Sequence, residues 1–170
     1  MIYPPKDIDG NDWFVAVCLI VLYAVAWRLP RLIPKSVALL VMLFSLSLAK
    51  GADNTLGTKP LDLYDTNEIP KFDVADLVTW GLYPVCGYLF IHAYQRFRIR
   101  GYALPAFVVF CSLLGCGFEY VCVLFDVFAY KEWVLADSFV VYLISQALTI
   151  LFFEWCKRAV IAGKKRKNCA

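Results

Sequence analysis

The apolar residues of this chain are gathered into five nearly continuous blocks, which restrict the fold more than any other feature. The blocks are Trp13–Trp27, Val37–Ala49, Val74–Ala93, Tyr102–Phe125 and Phe139–Cys156. A helix on a soluble core carries a polar stripe along its length, whereas these blocks are apolar on all sides. Hydrophobic residues make up 61% of the chain and charged residues 18%, against about 45–50% and about 25% in soluble domains. The sequence therefore predicts an all-α integral membrane helical bundle.

The block lengths predict about five transmembrane helices. A span takes about 20 residues, with about 17 as a lower limit; the last three blocks exceed that limit, and the first two reach it with their apolar flanks. We expect spans at about 12–30, 34–52, 74–95, 102–125 and 138–157, an outer loop at 53–73 and a basic tail at 158–170. They form a single domain, 1–170. For the first two blocks, a short hairpin that re-enters the membrane is the alternative.

The charges of the connecting segments predict the orientation, because cytoplasmic segments are enriched in Lys and Arg. Basic residues cluster on one side, at Arg28, Arg31 and Lys35, at Arg96, Arg98 and Arg100, and at Lys157, Arg158 and Lys164–Lys167. Acidic residues fall on the other side, at Asp7, Asp9, Asp12, Asp53, Asp62, Asp65, Glu68, Asp73, Asp126, Glu132 and Asp137. We expect the N-terminus outside and the C-terminus in the cytoplasm.

Glu119 is the clearest ionisable residue within an apolar block. Placing an ionisable side chain in the hydrocarbon region costs free energy, and such a residue is by default a candidate functional site. Residues three or four positions apart share one face of a helix. The face of Glu119 carries small or polar residues: Ser112, Gly115, Cys116, Cys122 and Asp126. The opposite face is apolar: Phe110, Leu113, Leu114, Phe118 and Val121. Small residues allow helices to approach closely, so Glu119 is expected to point into the bundle, in the outer half of the membrane.

Two neighbouring spans offer matching polar faces, and Pro84 is expected to kink the third span. We hypothesise a polar pocket in the outer half of the bundle, lined by Asp76, Tyr83, Glu119 and Tyr142, together with Asp53 and Asp126. In one interpretation Glu119 binds a cation, a proton or a polar ligand. In the other it stabilises helix packing through hydrogen bonds to Tyr142 or Ser138, each worth about 1 kcal/mol.

The remaining motifs predict no further chemistry. The seven cysteines lack a CxxC pair and lie in the spans or the tail. We therefore interpret them as small residues that pack between helices. A single histidine argues against a zinc site, and we expect no metal and no cofactor. The basic tail, directly after a span, predicts contact with anionic membrane lipids rather than with nucleic acid.

From Ala52 onward the chain resembles a family of small multi-pass membrane proteins from Gram-positive, spore-forming bacteria, a family with no assigned activity. The residues that carry the resemblance are Asp53, Leu63-Tyr64-Asp65, Phe72-Asp73, Asp76, Leu82-Tyr83-Pro84, Gly87-Tyr88-Leu89-Phe90, Phe118-Glu119-Tyr120, Val127-Phe128-Ala129-Tyr130, Trp133, Ser138-Phe139 and Tyr142. The resemblance implies a bacterial plasma membrane and assigns no residue a role.

Three functions remain open at this point. The leading one is a non-enzymatic sensor, carrier or accessory subunit that binds a small ligand, a lipid or a proton near Glu119. The second is a structural subunit that packs against another membrane protein or a second copy of itself. The third is a membrane-embedded lipid-modifying enzyme with Glu119 and Asp76 as acid and base, although no nucleophile motif accompanies them.

Overall fold

The computed structural model describes residues 10–66 and 78–168 of the chain. Within these residues the fold is mainly helical, with two short strands. In chain order the elements are α1 Gly10–Arg28, α2 Lys35–Leu56, β1 Tyr64–Thr66, α3 Leu82–Arg96, α4 Ala103–Leu124, β2 Phe128–Tyr130 and α5 Leu135–Asn168.

Four of these helices, α1, α2, α4 and α5, are long and apolar enough to cross a membrane, judged by length and composition. Helix α3 has 15 residues and is not among them. The predicted third span, 74–95, begins within residues 67–77, which lie outside the described part of the chain.

Two helices continue beyond their predicted ends. Helix α2 runs to Leu56, so Asp53 belongs to its last turns rather than to a loop. Helix α5 runs to Asn168 through the basic segment, since Lys and Arg are good helix formers and a change of polarity does not itself end a helix.

Proline explains the start of α3. Pro84 has no amide hydrogen and cannot bond the carbonyl of Trp80, as a helix interior would require. Regular helix accordingly begins at Leu82, after a turn at Gly81 that interrupts the helical residues 78–80. Pro84 thus occupies the first turn of α3, where proline is tolerated.

The helices pack into one bundle with an apolar cluster near each end. Helix α2 contacts α3 and α5, α4 contacts α5, and α1 contacts α3. One cluster joins α2, α3 and α5 and includes Val37, Val41, Ile91, Ile150 and Phe153. The other joins α1, α3, α4 and the start of the α4–α5 connection, through Val15, Leu82, Cys122 and Val127.

The outer surface of the bundle is apolar. On α1 the buried residue is Val15, whereas Trp13, Ile20 and Trp27 are more than 60% exposed. On α4 the face opposite Glu119 is exposed as predicted, at Phe110, Leu113, Leu114, Phe118 and Val121. Apolar surface of this extent is expected of helices that contact lipid.

Strands β1 and β2 form an antiparallel pair that no pattern in the sequence predicts. Tyr64 pairs with Tyr130, Asp65 with Ala129 and Thr66 with Phe128. Because β1 follows α2 and β2 follows α4, the pair holds the C-terminal ends of these two helices at one end of the bundle, which we call the strand end. The basic segments lie at the opposite end, the basic end, where His92 Nε2 lies 2.9 Å from the carbonyl oxygen of Pro30.

Candidate functional site

Glu119 lies in α4, is 8% exposed, and accepts three hydrogen bonds from side-chain hydroxyl groups. Ser138 Oγ and Tyr130 Oη each donate to Oε1 at 2.5 Å. Tyr142 Oη donates to Oε2 at 2.7 Å. Ser138 Oγ in turn accepts a hydrogen bond of 2.7 Å from Trp133 Nε1. The carboxyl group therefore joins α4 to β2 and to the first two turns of α5.

Small residues on the face of Glu119 bring α5 close enough for these bonds. A Cβ atom at Gly115, one turn before Glu119, would lie 3.3 Å from Tyr142 Cδ2, so a larger side chain there would displace the tyrosine ring. One turn earlier, Ser112 is fully buried and donates to Gln146 Oε1 at 3.3 Å. The face that was predicted from spacing is therefore the contact surface between α4 and α5.

A second carboxylate, Asp53, lies at the end of α2 with its own donors. Tyr64 Oη donates to Oδ1 at 3.0 Å, and Tyr83 Oη donates to Oδ2 at 3.2 Å. Lys50 Nζ forms an ion pair with Oδ2 at 3.1 Å and lies 4.5 Å from the centre of the Trp80 ring. Asp53 thus joins α2, β1 and α3 and has a cationic partner.

Tyr64 connects the two carboxylates. It pairs with Tyr130 in the strands, and its ring centre lies 5.3 Å from that of Trp133. Burial raises the pKa of Tyr64, as do the charge and hydrogen bond of Asp53 and, to a lesser extent, the charge of Glu119. Burial likewise raises the pKa of Tyr130, followed by its hydrogen bond to Glu119 and the charge of that residue. Both phenols are therefore held neutral.

These residues make one polar cluster at the strand end, which we call the two-carboxylate network. Its members are Asp53, Tyr64, Tyr83, Glu119, Tyr130, Ser138 and Tyr142. It links α2, α3, α4, α5 and both strands.

The structure brings together four of the six predicted site residues: Asp53, Tyr83, Glu119 and Tyr142. Asp76 lies outside the described residues. Asp126 does not join the network: it is exposed and follows the end of α4 in a left-handed conformation, with φ of 56°. Its predicted place on the face of Glu119 is wrong, because α4 ends at Leu124 and helical spacing no longer applies.

Tyr64, Tyr130 and Lys50 are not among the predicted site residues. Both tyrosines lie in predicted connections, and they reach the carboxylates only because β1 pairs with β2. Lys50 could have been found by its spacing, since it lies three residues before Asp53 on the same helix.

The donors around Glu119 are hydroxyl groups. Each hydroxyl group can rotate and can either donate or accept a hydrogen bond, so the donors around Glu119 can serve both a charged and a protonated carboxyl. Within residues 10–66 and 78–168, no group of three or more metal-binding side chains is suitably arranged to hold a metal ion.

Comparison with known proteins identified no match among protein-family models, curated proteins or solved structures.

Proposed function

We propose that this chain is a non-enzymatic, five-span protein of a bacterial plasma membrane that binds a proton or small polar ligand at Glu119. In this proposal it acts as a sensor, a carrier or an accessory subunit. The observation that carries the proposal is the burial of Glu119 among three rotatable hydroxyl donors, with no Lys or Arg paired to it among the described residues.

Five spans are supported by the direction of the chain between α2 and α4. The pairing of β1 with β2 puts the C-terminal ends of both helices at the strand end, so the chain must cross the bundle between them. Helix α3 provides this crossing: Tyr83, near its start, bonds Asp53 at the strand end, and Tyr94, near its end, bonds Glu154 at the basic end.

The basic end is proposed to face the cytoplasm, with the N-terminus outside. Arg28 and Lys35 flank the α1–α2 connection and Arg96, Arg98 and Arg100 lie at the α3–α4 connection, a distribution typical of cytoplasmic segments. The resemblance to membrane proteins of spore-forming bacteria supports the bacterial plasma membrane as the location.

Single cysteines test the orientation in a cysteine-free background. A membrane-impermeant maleimide applied to intact cells is expected to label Lys59→Cys, an exposed position at the strand end. Ala162→Cys, exposed near the end of α5, should react only after permeabilisation. Labelling of both positions, or of Ala162→Cys alone, in intact cells would contradict the proposed topology.

The role of Glu119 is tested by comparing wild type with Glu119→Gln. Glutamine keeps the size of the side chain and resembles a protonated carboxyl, but it cannot release a proton. Infrared difference spectra recorded across a pH titration should contain a carboxyl C=O band that is absent from Glu119→Gln. The matched control is Glu132→Gln, an exposed acid near the same end of the bundle, which should retain the band.

Native mass spectrometry from native lipid nanodiscs tests the other occupants. A bound small molecule or lipid that is present in wild type and lost from Glu119→Gln would identify the occupant of the site. Identical bound masses in both proteins, together with identical infrared titrations, would reject binding at Glu119.

The full set of hydroxyl donors around Glu119 also favours the second function, that of a structural or partner-binding subunit. In that case Glu119→Gln leaves the infrared titration and the ligand content unchanged but weakens the stability of the protein or its assembly with a copurified membrane protein.

A further inference from the structure

A second polar feature lies at the basic end, far from the residues near the start of α5 that contact Glu119. It is a cavity of about 40 Å³ between the end of α3, the α3–α4 turn and α5. The side chains that matter for its chemistry are Tyr94, Gln95, Arg98, Arg100, Glu154 and Lys157, and we call it the basic pocket. Its volume exceeds the roughly 10–15 Å³ that one water molecule requires.

The basic pocket has an excess of positive charge. Its one carboxylate, Glu154, accepts a hydrogen bond from Tyr94 Oη at 3.3 Å and lies 3.7 Å from Lys157 Nζ. Within the described residues, neither Arg98 nor Arg100 forms an ion pair. Among residues 10–66 and 78–168, the charges of the two guanidinium groups are therefore left without an ion-pair partner.

The position of the pocket along α5 corresponds to the level of lipid headgroups. From Leu135 to Glu154 the helix rises about 28 Å, at about 1.5 Å per residue, close to the roughly 30 Å thickness of the hydrocarbon core. Three exposed aromatic residues, Phe97, Tyr102 and Trp155, surround this region. Exposed tryptophan and tyrosine are typical of the interface between membrane and water.

We propose that the basic pocket binds the phosphate of an anionic phospholipid headgroup. The planar guanidinium groups of Arg98 and Arg100 match the geometry of phosphate oxygens and bond them in pairs. Glu154 offsets the charge of Lys157, so the charge that the pocket offers to a ligand is that of the two arginines. A headgroup that carries its own cation, such as choline, is therefore disfavoured beside them.

The C-terminal end of α3 does not prevent anion binding there. A helix C-terminus disfavours an anion by about 0.3–1 kcal/mol, whereas a hydrogen bond to a charged group contributes about 1.5–3 kcal/mol. Several carbonyl groups at this end are also occupied: those of Ala93, Tyr94 and Gln95 accept bonds from the amides of Phe97, Ile99 and Arg98 respectively. The arginine contacts therefore dominate.

The proposal requires membrane insertion, as in the function proposed above, but it does not require any ligand at Glu119. The test is native mass spectrometry of the full chain, titrated with phosphatidylglycerol or phosphatidylcholine of identical acyl chains. Wild type is compared with the pocket variant, Arg98→Gln with Arg100→Gln. A matched control, Arg28→Gln with Arg31→Gln, removes the same charge at the same end but outside the pocket.

The pocket variant is expected to bind phosphatidylglycerol at least roughly tenfold more weakly than wild type, since each lost charged hydrogen bond corresponds to about that factor. The control variant should stay within about twofold of wild type, because its arginines make no pocket contact. Phosphatidylcholine binding should be weak in all three proteins, and Glu119→Gln should bind phosphatidylglycerol as wild type does.

Equal losses in the pocket and control variants would overturn the proposal, because they would show attraction to surface charge in general. Unchanged binding in the pocket variant would also overturn it. The last comparison uses inorganic phosphate as a competitor. Displacement of the lipid by millimolar phosphate would show that the pocket binds free phosphate instead. Failure to displace the lipid would support binding of the lipid headgroup. Loss of the infrared signal at Glu119 in a protein with normal lipid binding would concern only the function proposed above.

Discussion

Helices α2 and α3 are packed so closely at Gly87 that a single methyl group there should destabilise the bundle. A Cβ atom added at Gly87 would overlap Ser45 Oγ and would lie 2.5 Å from Ser45 Cβ. The hydroxyl group can rotate away, but the Cβ atom is fixed to the backbone. Relief of the overlap in Gly87→Ala therefore requires the two helices to separate.

The expected magnitude follows from two opposing effects. Overpacking of a core costs about 1–3 kcal/mol, and the fixed position of Ser45 Cβ places this case near the upper value. Replacing glycine by alanine within a helix raises the free energy of unfolding by about 1 kcal/mol. Gly87→Ala should therefore lower the free energy of unfolding by about 2 kcal/mol.

Two further variants isolate the cause. At Gly117, on α4, an added Cβ has no neighbour within 4 Å, so Gly117→Ala should stabilise the protein by up to about 1 kcal/mol. Ser45→Gly removes both overlapping atoms and leaves Ser45 Cα at 4.0 Å. Combined with Gly87→Ala, it should restore stability above that of Gly87→Ala alone.

The same contact positions part of the two-carboxylate network. Gly87 lies one turn after Tyr83 and Ser45 lies two turns before Asp53, on the facing sides of the antiparallel helices α3 and α2. A wider separation should therefore weaken the 3.2 Å hydrogen bond between Tyr83 and Asp53.

The assay is unfolding by a denaturing detergent in mixed micelles, followed by circular dichroism. If Gly87→Ala proves as stable as Gly117→Ala, or if Ser45→Gly fails to rescue it, the close approach of α2 and α3 is refuted.

The remaining predictions concern the network and the strand pair. Tyr142→Phe should lower the free energy of unfolding by about 1–2 kcal/mol, because the hydrogen bond to Glu119 is lost. The control is Tyr120→Phe, at a 55% exposed residue, which should change that free energy little. Both are measured by the same unfolding assay in mixed micelles. The pKa of Tyr64 is raised in the folded protein, so the stability that its neutral phenol contributes is fully present below its unfolded pKa near 10 and is lost as the pH rises further. Tyr64→Phe should therefore flatten the alkaline decline of the free energy of unfolding. An unchanged slope would contradict this role of Tyr64. Paired cysteines at Asp65 and Ala129, which face each other in the strands, should cross-link on oxidation, as a gel shift would report, and a failure to cross-link would argue against this register.

The helices and the contacts of Glu119 could be predicted because both depend on local spacing. Continuous apolar blocks locate the helices, and steps of three and four residues indicate which face of α4 carries Glu119. The polar face of α5 follows from the same rule, and both expected partners, Ser138 and Tyr142, donate to Glu119.

The strand pair and its consequences could not be predicted in this way. Strands β1 and β2 have three residues each and lie in separate connections, and nothing local indicates that two such short segments pair. Without that pairing, Tyr64 and Tyr130 would be predicted as loop residues. The sequence would then not indicate that Asp53 and Glu119 belong to one network. Helical spacing also fails at Asp126, where the chain has already left α4.

The two carboxylates of the network differ in one respect that bears on function. Asp53 has a cationic partner, Lys50, so its charge is balanced within the protein. Glu119 is balanced only by hydroxyl dipoles among the described residues, and a buried charge without a counter-ion is costly in a low-dielectric environment. Uptake of a proton or a small cation at Glu119 would remove that cost, whereas at Asp53 it would compete with Lys50. Under the proposed function, this asymmetry assigns the change of occupancy to Glu119, while Asp53 and its partners hold the strand end together.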